Sequence, residues 1–463
     1  MSVRPLRIRH PLTAILVGAL VVRLVILTMT PGLGIRIADE HHYHVLATSL
    51  VDGRGFESRF GPTSLRPPLY PGFVAAGWTI SGSRSLQVIR AIQALVGLAT
   101  AGLVYALARR LYDQRAALAA AAVMAFYPAL LLSHSLLLTE TLFTFLLTSA
   151  CLAIVAVLQQ PRAWIGAAAG ALLGLAALTR SIVWPFPLVL APFVMLCGRG
   201  LLRQRMAAAT LLLAVHALVL APWAIRNTRL QGMPVVVDTM GGLNLLMGNY
   251  EHTPHSRIWD AVSMEGPKSW VYGLPQVPAG GGEWNEGQKE RWARDRAVAF
   301  IVAHPGLTLW RSAIKFTDFW GLDRDFLAGV QRGLFNPPLW ATGVAGFALL
   351  VGYPLVILLA VVGLCLRPPA DWRSHAALWL LVAFVTALHS LVFGHPRYRL
   401  PLTAIFAVYA GAAISERVWQ LRRHSPGRWR LAAGICAGLV AIWITQFAVR
   451  DWPHVQQLLG SGA

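Results

Sequence analysis

Apolar runs of about 20 residues, each long enough to cross the hydrocarbon of a bilayer, recur along most of this chain. They fall at roughly 12–30, 87–108, 116–133, 139–158, 163–179, 182–197, 206–223, 339–366, 375–393, 399–414 and 431–449. In lipid every backbone polar group must find its partner inside the segment or the bundle. The pattern therefore predicts an all-α polytopic membrane protein with about eleven transmembrane helices. Of the 463 residues, 56% are hydrophobic and 13% charged, where a soluble domain carries about 25% charged residues.

The net charge of +20 would suggest a nucleic-acid partner on a soluble chain. Here it reads as loop charge that fixes orientation. With Arg4, Arg7 and Arg9 placed in the cytoplasm, the inner loops carry Arg109, Arg110, Arg115, Arg162, Arg199, Arg203, Arg205, Arg367 and Arg373. A last inner loop adds Arg417, Arg422, Arg423, Arg428 and Arg430, while the only acids in these loops are Asp113, Asp371 and Glu416. That bias predicts a multi-pass protein of the plasma (inner) membrane with a cytoplasmic N-terminus and no nucleic-acid partner.

Two extended loops then face the extracytoplasmic side. The expected organisation is a membrane domain over 1–223 containing a first outer loop at 31–86, a large outer loop at 224–338, and C-terminal membrane helices over 339–463. No secretory cleavage site follows the first run, so it reads as a retained helix. The four cysteines lie in or beside apolar runs without metal or redox spacing, and read as packing residues.

The polar chemistry gathers in the outer loops. In "RIADEHHYHVLATSLVDGRGF" (36–56), Asp39 and Tyr43 are one helical turn apart and share a face, with Glu40 and His44 on the neighbouring one. Gly53 and Gly55 supply the stop. The acids are either a solvated helix start at a positive helix end or an acid pair poised for chemistry. His41, His42 and His44 cannot all meet one ion from a single helix, although Glu40 and His44 can, so a metal reading stays open.

"FGPTSLRPPLYPGFVAAGW" (60–78) follows. Pro67 and Pro68 oppose helix and stiffen the chain, which predicts a fixed loop holding Arg66 and Tyr70 near the membrane surface. Glu140 and Arg180 stand at outer ends of apolar runs, where a charge costs less than the roughly 2.5 kcal/mol or more of the bilayer centre. They either pair structurally or join a site.

"GHPRYRLPL" (394–402) opens an inward-going run. Its Arg397 and Arg399 are either interfacial anchors or bidentate phosphate ligands. Asn244 and Asn249 in "TMGGLNLLMGNY" are suited to sugar hydroxyls, or cap turns in a glycine-rich loop. Within the large loop, "GGEWNEGQKERWARDRAVAFIVAHPG" reads as a helix with a Pro-Gly stop. "LTLWRSAIKFTDFW" reads as a second helix lying along the membrane surface, the two forming a cap.

The Asp-Glu pair after the first membrane helix, the Tyr, the "L..G.GF" turn and "RPPLYP" resemble the polyprenyl-phosphate-sugar-dependent glycosyltransferases of the C-type membrane fold. The nearest branch is that of the dolichyl-phosphate-mannose–protein mannosyltransferases and the lipid A aminoarabinose transferases. "LLLTETLFTFLLT", "AALTRSIVWPFPLVL", "PWAIRNTRLQGMPVVVDTMGGLNLLMGN" and "GHPRYRLPL" are similar to later family stretches, in the same order, from about residue 12 to 415. The chain departs from the pattern at His41, His42 and His44, where small or acidic residues are expected.

The resemblance implies transfer of a sugar from a polyprenyl-phosphate donor to a hydroxyl of a protein, glycan or lipid acceptor on the outer face. That chemistry needs a base for the hydroxyl and positive charge for the leaving phosphate. Asp39 is the expected base, and in-line displacement inverts the anomeric carbon. Glu40 would orient the acceptor, tune Asp39 or help hold a divalent cation, the one cofactor left open. Tyr43, Arg66, Tyr70, Glu140, Arg180, Asn244, Asn249, His395, Arg397, Tyr398 and Arg399 are the expected substrate-binding residues, with no dedicated metal ligand. No glycine-rich nucleotide loop lies between a strand and a helix, as expected for a lipid-soluble donor. Two other readings remain: a transporter or flippase of lipid-linked sugars, for which no duplicated halves are found, and a polyprenyl-diphosphate-dependent glycan ligase.

Overall fold

The structure, a computed structural model, describes residues 10–255, 257–272, 284–415 and 425–452. Arg4, Arg7, Arg9, Glu416, Arg417, Arg422 and Arg423, read above as loop charge, lie outside the described residues. The helices run in the order α1 (Pro11–Thr28), α2 (Ala38–Val51), α3 (Leu69–Ser81), α4 (Leu86–Leu111), α5 (Gln114–Ala125), α6 (Pro128–Ser133), α7 (Glu140–Gln159), α8 (Ala163–Thr179) and α9 (Phe186–Cys197). They continue as α10 (Leu202–Gln231), α11 (Gly241–Gly248), α12 (Glu286–Ala303), α13 (Pro305–Phe319), α14 (Asp325–Gln331), α15 (Leu339–Leu366), α16 (Trp372–Leu391), α17 (Thr403–Ser415) and α18 (Pro426–Gln446). A two-residue antiparallel hairpin, Glu57–Ser58 with Gly61–Pro62, is the only sheet among the described residues.

This is a multi-pass membrane protein. Eight of its described helices are long and apolar enough to cross a bilayer, or nine if the bent α12–α13 pair counts as one. Three more of the eleven expected segments coincide with shorter apolar helices, Gln114–Ala125, Ala163–Thr179 and Ser181–Cys197. The run expected at 116–133 breaks at Phe126–Tyr127, ahead of Pro128, so α5 and α6 are separate helices.

One apolar core extends from Ala19 to Trp443 and joins N-terminal and C-terminal helices. Close backbone approach at glycine makes this possible. A methyl group built on Gly166 of α8 would lie 2.1 Å from the Ala208 carbonyl of α10, and one on Gly170 would lie 2.2 Å from that of Leu212. Gly363 of α15 stands in the same relation to Tyr409 of α17, at 1.9 Å. Lipid supplies no hydrophobic drive between helices, so such contacts rest on close packing of small residues.

The loop before α3 meets α10 and the start of α12. Glu286, at the start of α12, accepts from the Thr63 hydroxyl and, at 2.6 Å, from the Ser64 amide. Ser64 also donates to Asn227 of α10 (3.0 Å), and Arg226 donates to the Thr63 carbonyl (2.7 Å). Helices α12 and α13 meet at a 110° bend. On α13 the polar face, Thr308, Arg311, Lys315 and Asp318, is buried, and Leu309, Trp310 and Phe316 point outward. Arg311 donates to the Tyr250 and Thr253 carbonyls, each at 2.8 Å. An apolar face turned out and a polar face turned in fit a helix whose solvent is lipid.

Candidate active site

Asp39 is in the first turn of α2, where the positive helix end favours a carboxylate. Glu140 is the first residue of α7 and enjoys the same field. Three guanidinium groups converge on these two acids. Arg66 Nη2 donates to Asp39 Oδ1 at 2.7 Å, and Arg397 Nη1 donates to Asp39 Oδ2 at 3.0 Å. Arg397 Nε also donates to Glu140 Oε1, which accepts from Arg180 Nη1 at 2.9 Å as well. Glu140 is buried, and its Oε2 has no hydrogen-bond partner among the described residues. The Asp39 side chain keeps 30% of its surface open, so a ligand can reach it.

Aromatic rings support the arginines. Tyr43, one turn along α2 from Asp39, lies under Arg66 at 5.6 Å. Tyr398 faces Arg180 at 5.0 Å and stacks on His389, with ring centres 4.6 Å apart. Desolvation of the guanidinium groups strengthens such contacts. Burial alone would raise the Asp39 carboxyl, but Arg66 and Arg397 outweigh it and hold it down at about 2.

The remaining expected site residues have other partners. Glu40 is fully buried; its Oε2 accepts from the Arg36 (2.9 Å) and Ile37 (3.2 Å) amides and its Oε1 from the Leu137 amide (2.8 Å). It closes the start of α2 against the turn before α7, with both oxygens engaged by backbone amides. Tyr70 is on α3, which begins directly after Pro68, so the expected loop ends sooner. The Tyr70 hydroxyl donates to Gln93 (2.8 Å) and its ring meets Tyr43 edge-on. Arg399 points away from Arg397 and pairs with Asp323, its guanidinium 3.6 Å from the Tyr353 ring centre.

His395 faces Asp325 at 3.3 Å and accepts from the Arg397 amide at 3.3 Å, which fixes the start of that turn. Asn249 is buried between the Lys315 ammonium (3.0 Å) and the Leu391 carbonyl (3.0 Å). Asn244 is half-buried on α11, outside the arginine network. Of the expected residues, Asp39, Tyr43, Arg66, Glu140, Arg180, Arg397 and Tyr398 come together; Glu40, Tyr70, Asn244, Asn249, His395 and Arg399 do not.

The structure adds residues that sequence reasoning passed over. Asp238 lies in the field of Arg66; burial raises its carboxyl, against hydrogen bonds from Ser181 and the Met240 amide. Arg90 donates to the Thr30 and Ser135 carbonyls, both at 2.8 Å, and to that of Leu33, and so sets the path from α1 to α2. Buried arginine within an apolar run was the one signal that marked it.

Among the described residues no three His, Cys, Asp or Glu side chains gather as a ligand set. Both Asp39 oxygens accept from guanidinium groups, and three cationic groups face two carboxylates. Guanidinium groups gathered in one place are suited to an anion.

Known proteins share part of this sequence and its fold. Residues 65–225 match the family model of dolichyl-phosphate-mannose-protein mannosyltransferase, a stretch holding Arg66, Glu140 and Arg180 but neither Asp39 nor Arg397. The crystal structure of the Archaeoglobus fulgidus oligosaccharyltransferase in its apo form superposes with a TM-score of 0.51 at 16% identity, over 95% of this chain and 56% of that one. The chain has the C-type membrane glycosyltransferase fold. The archaeal oligosaccharyltransferase in complex with an inhibitory peptide and a dolichol-phosphate superposes on it with a TM-score of 0.50 at 14% identity, over 93% and 54% of the two chains. The chain thus spans little more than half the length of those proteins. ArnT from Cupriavidus metallidurans bound to undecaprenyl phosphate gives a TM-score of 0.39 at 16% identity, over 87% and 77% of the two chains. No curated protein matches the chain.

Proposed function

We propose that the chain is a membrane glycosyltransferase moving a sugar from a polyprenyl monophosphate to an acceptor hydroxyl on the extracytoplasmic face, with inversion. The observation that carries this reading is the Asp39–Arg66–Arg397–Glu140–Arg180 network: a reachable carboxylate held between guanidinium groups. The family-model match and the fold support the same class. The archaeal oligosaccharyltransferase that shares the fold has a structure in complex with a dolichol-phosphate, which supports a lipid-phosphate donor here.

Asp39 held at about 2 is a poor base. A donor phosphate that takes hydrogen bonds from Arg66 and Arg397 draws their charge off Asp39 and raises its basicity. Asp39 then accepts the acceptor's hydroxyl proton while the acceptor oxygen bonds to the anomeric carbon. The bond from that carbon to the phosphate oxygen breaks, its electron pair leaves with the lipid phosphate, and the guanidinium groups stabilise the growing charge. Glu140 holds Arg180 and Arg397 in place, and its free Oε2 is suited to a sugar hydroxyl.

The test is transfer of radiolabelled sugar from a polyprenyl phosphate by purified protein in sealed proteoliposomes. Asp39→Asn is expected to lose about 10²- to 10⁴-fold in rate with donor binding retained. Label that crosses the bilayer unbroken, or a variant as active as the native chain, would refute the proposal.

A further inference from the structure

The three histidines at which this chain departs from the family pattern do not share one role. His44 packs edge-on against Trp78 and His41 Nε2 meets Arg59 at 2.6 Å, both outside the charged cluster. His42 reaches into it: the same Arg66 Nη2 that donates to Asp39 lies 3.0 Å from His42 Nδ1. Arginine only donates, so Nδ1 must be the bare acceptor and the proton sits on Nε2. Asp39, His42 and Tyr43 are spaced i, i+3, i+4, and all three contact one guanidinium from one face of α2.

We propose that His42 is a positioning residue, whose neutral ring keeps Arg66 aimed into the site once a lipid phosphate has drawn that guanidinium away from Asp39, and whose protonation releases it. This rests on the proposed polyprenyl-phosphate reading. The groups that face His42 are Arg66 from the loop before α3, and Asp39 and His41 from its own helix. Burial, then Arg66, lowers the imidazole below its ordinary value, against a smaller pull from Asp39. An imidazolium at this place repels Arg66 and competes with it for Asp39. The hydrogen bond is therefore intact above the ordinary histidine range and is lost as pH falls through the lowered value.

The test measures binding of undecaprenyl phosphate to the full chain in nanodiscs from about pH 8 down to about pH 5. Native affinity is expected to fall about tenfold toward acid, the loss of one hydrogen bond to a charged group. His42→Gln, whose amide oxygen still accepts, should lose clearly less affinity toward acid than the native chain, keeping only the fall set by the phosphate's own second ionisation at about pH 6. His42→Ala should be weak throughout, and His41→Gln should keep the native profile. His42→Ala matching the native chain at neutral pH, or His42→Gln falling toward acid as steeply as the native chain, overturns the proposal.

If the native chain binds no polyprenyl phosphate, the functional reading fails, and His42 is judged separately by ¹⁵N spectra of the histidine rings. One bare Nδ1 that shifts on Arg66→Gln supports the role. No change in any of the 14 histidines removes it.

Discussion

Asp39 and Glu40 are neighbours in sequence and divide the work of the helix start. Asp39 turns toward open space and two guanidinium groups, and Glu40 turns inward to three backbone amides. Removing the Glu40 carboxylate leaves buried N–H groups unpaired, so Glu40→Ala should destabilise the protein by at least ~2 kcal/mol, read as a lowered unfolding temperature in detergent. Tyr70→Phe should cost about 1 kcal/mol and leave polyprenyl-phosphate binding unchanged, because its hydroxyl serves Gln93. Arg397→Lys should weaken that binding about tenfold, since an ammonium cannot span Asp39 and Glu140 as the planar fork does. The shared face of Asp39 and Tyr43 was legible from helical spacing. The fate of Glu40 was not, because the Leu137 amide that occupies it lies 97 positions along the chain. Nor was the division between Arg397 and Arg399 legible. They sit two apart in a 3-10 turn of about three residues, so they diverge, and only the tertiary contacts decide which one enters the site.

Among the elements, the glycine seams and the inverted α13 carry the most information. Gly166→Leu should push α8 from α10 and lower both yield and thermal stability by more than the same change at Gly102, where an added carbon meets nothing within 4 Å. Equal effects at the two positions would remove the seam from the account. A nitroxide placed by Leu309→Cys on α13 should show the oxygen accessibility of the lipid phase, because that side chain points outward on the apolar face. Existence and order of the long helices were legible from hydrophobic runs alone. Helices α5, α6 and α9 were harder, because short apolar helices next to proline carry no length signal that separates a crossing from a buried or broken segment.

For the whole molecule, the site is a meeting of five distant segments: the start of α2, the loop before α3, the start of α7, the end of α8 and the turn before α17. The residues were visible singly in the sequence, but their convergence depends on how the helices pack. The balance of charge also belongs to this scale. With both Asp39 oxygens held by guanidinium groups, exhaustive treatment with EDTA should leave transfer unchanged, and a loss restored by a divalent ion would contradict that expectation.

The most direct test of the central claim is the anomeric configuration of the first-formed product, followed by proton NMR with a polyprenyl-phosphate sugar of defined configuration. A carboxylate acting as base beside the lipid phosphate requires a single displacement, so the product should be inverted. A retained configuration would mean that Asp39 bonds to the sugar or stands idle, and would contradict the account.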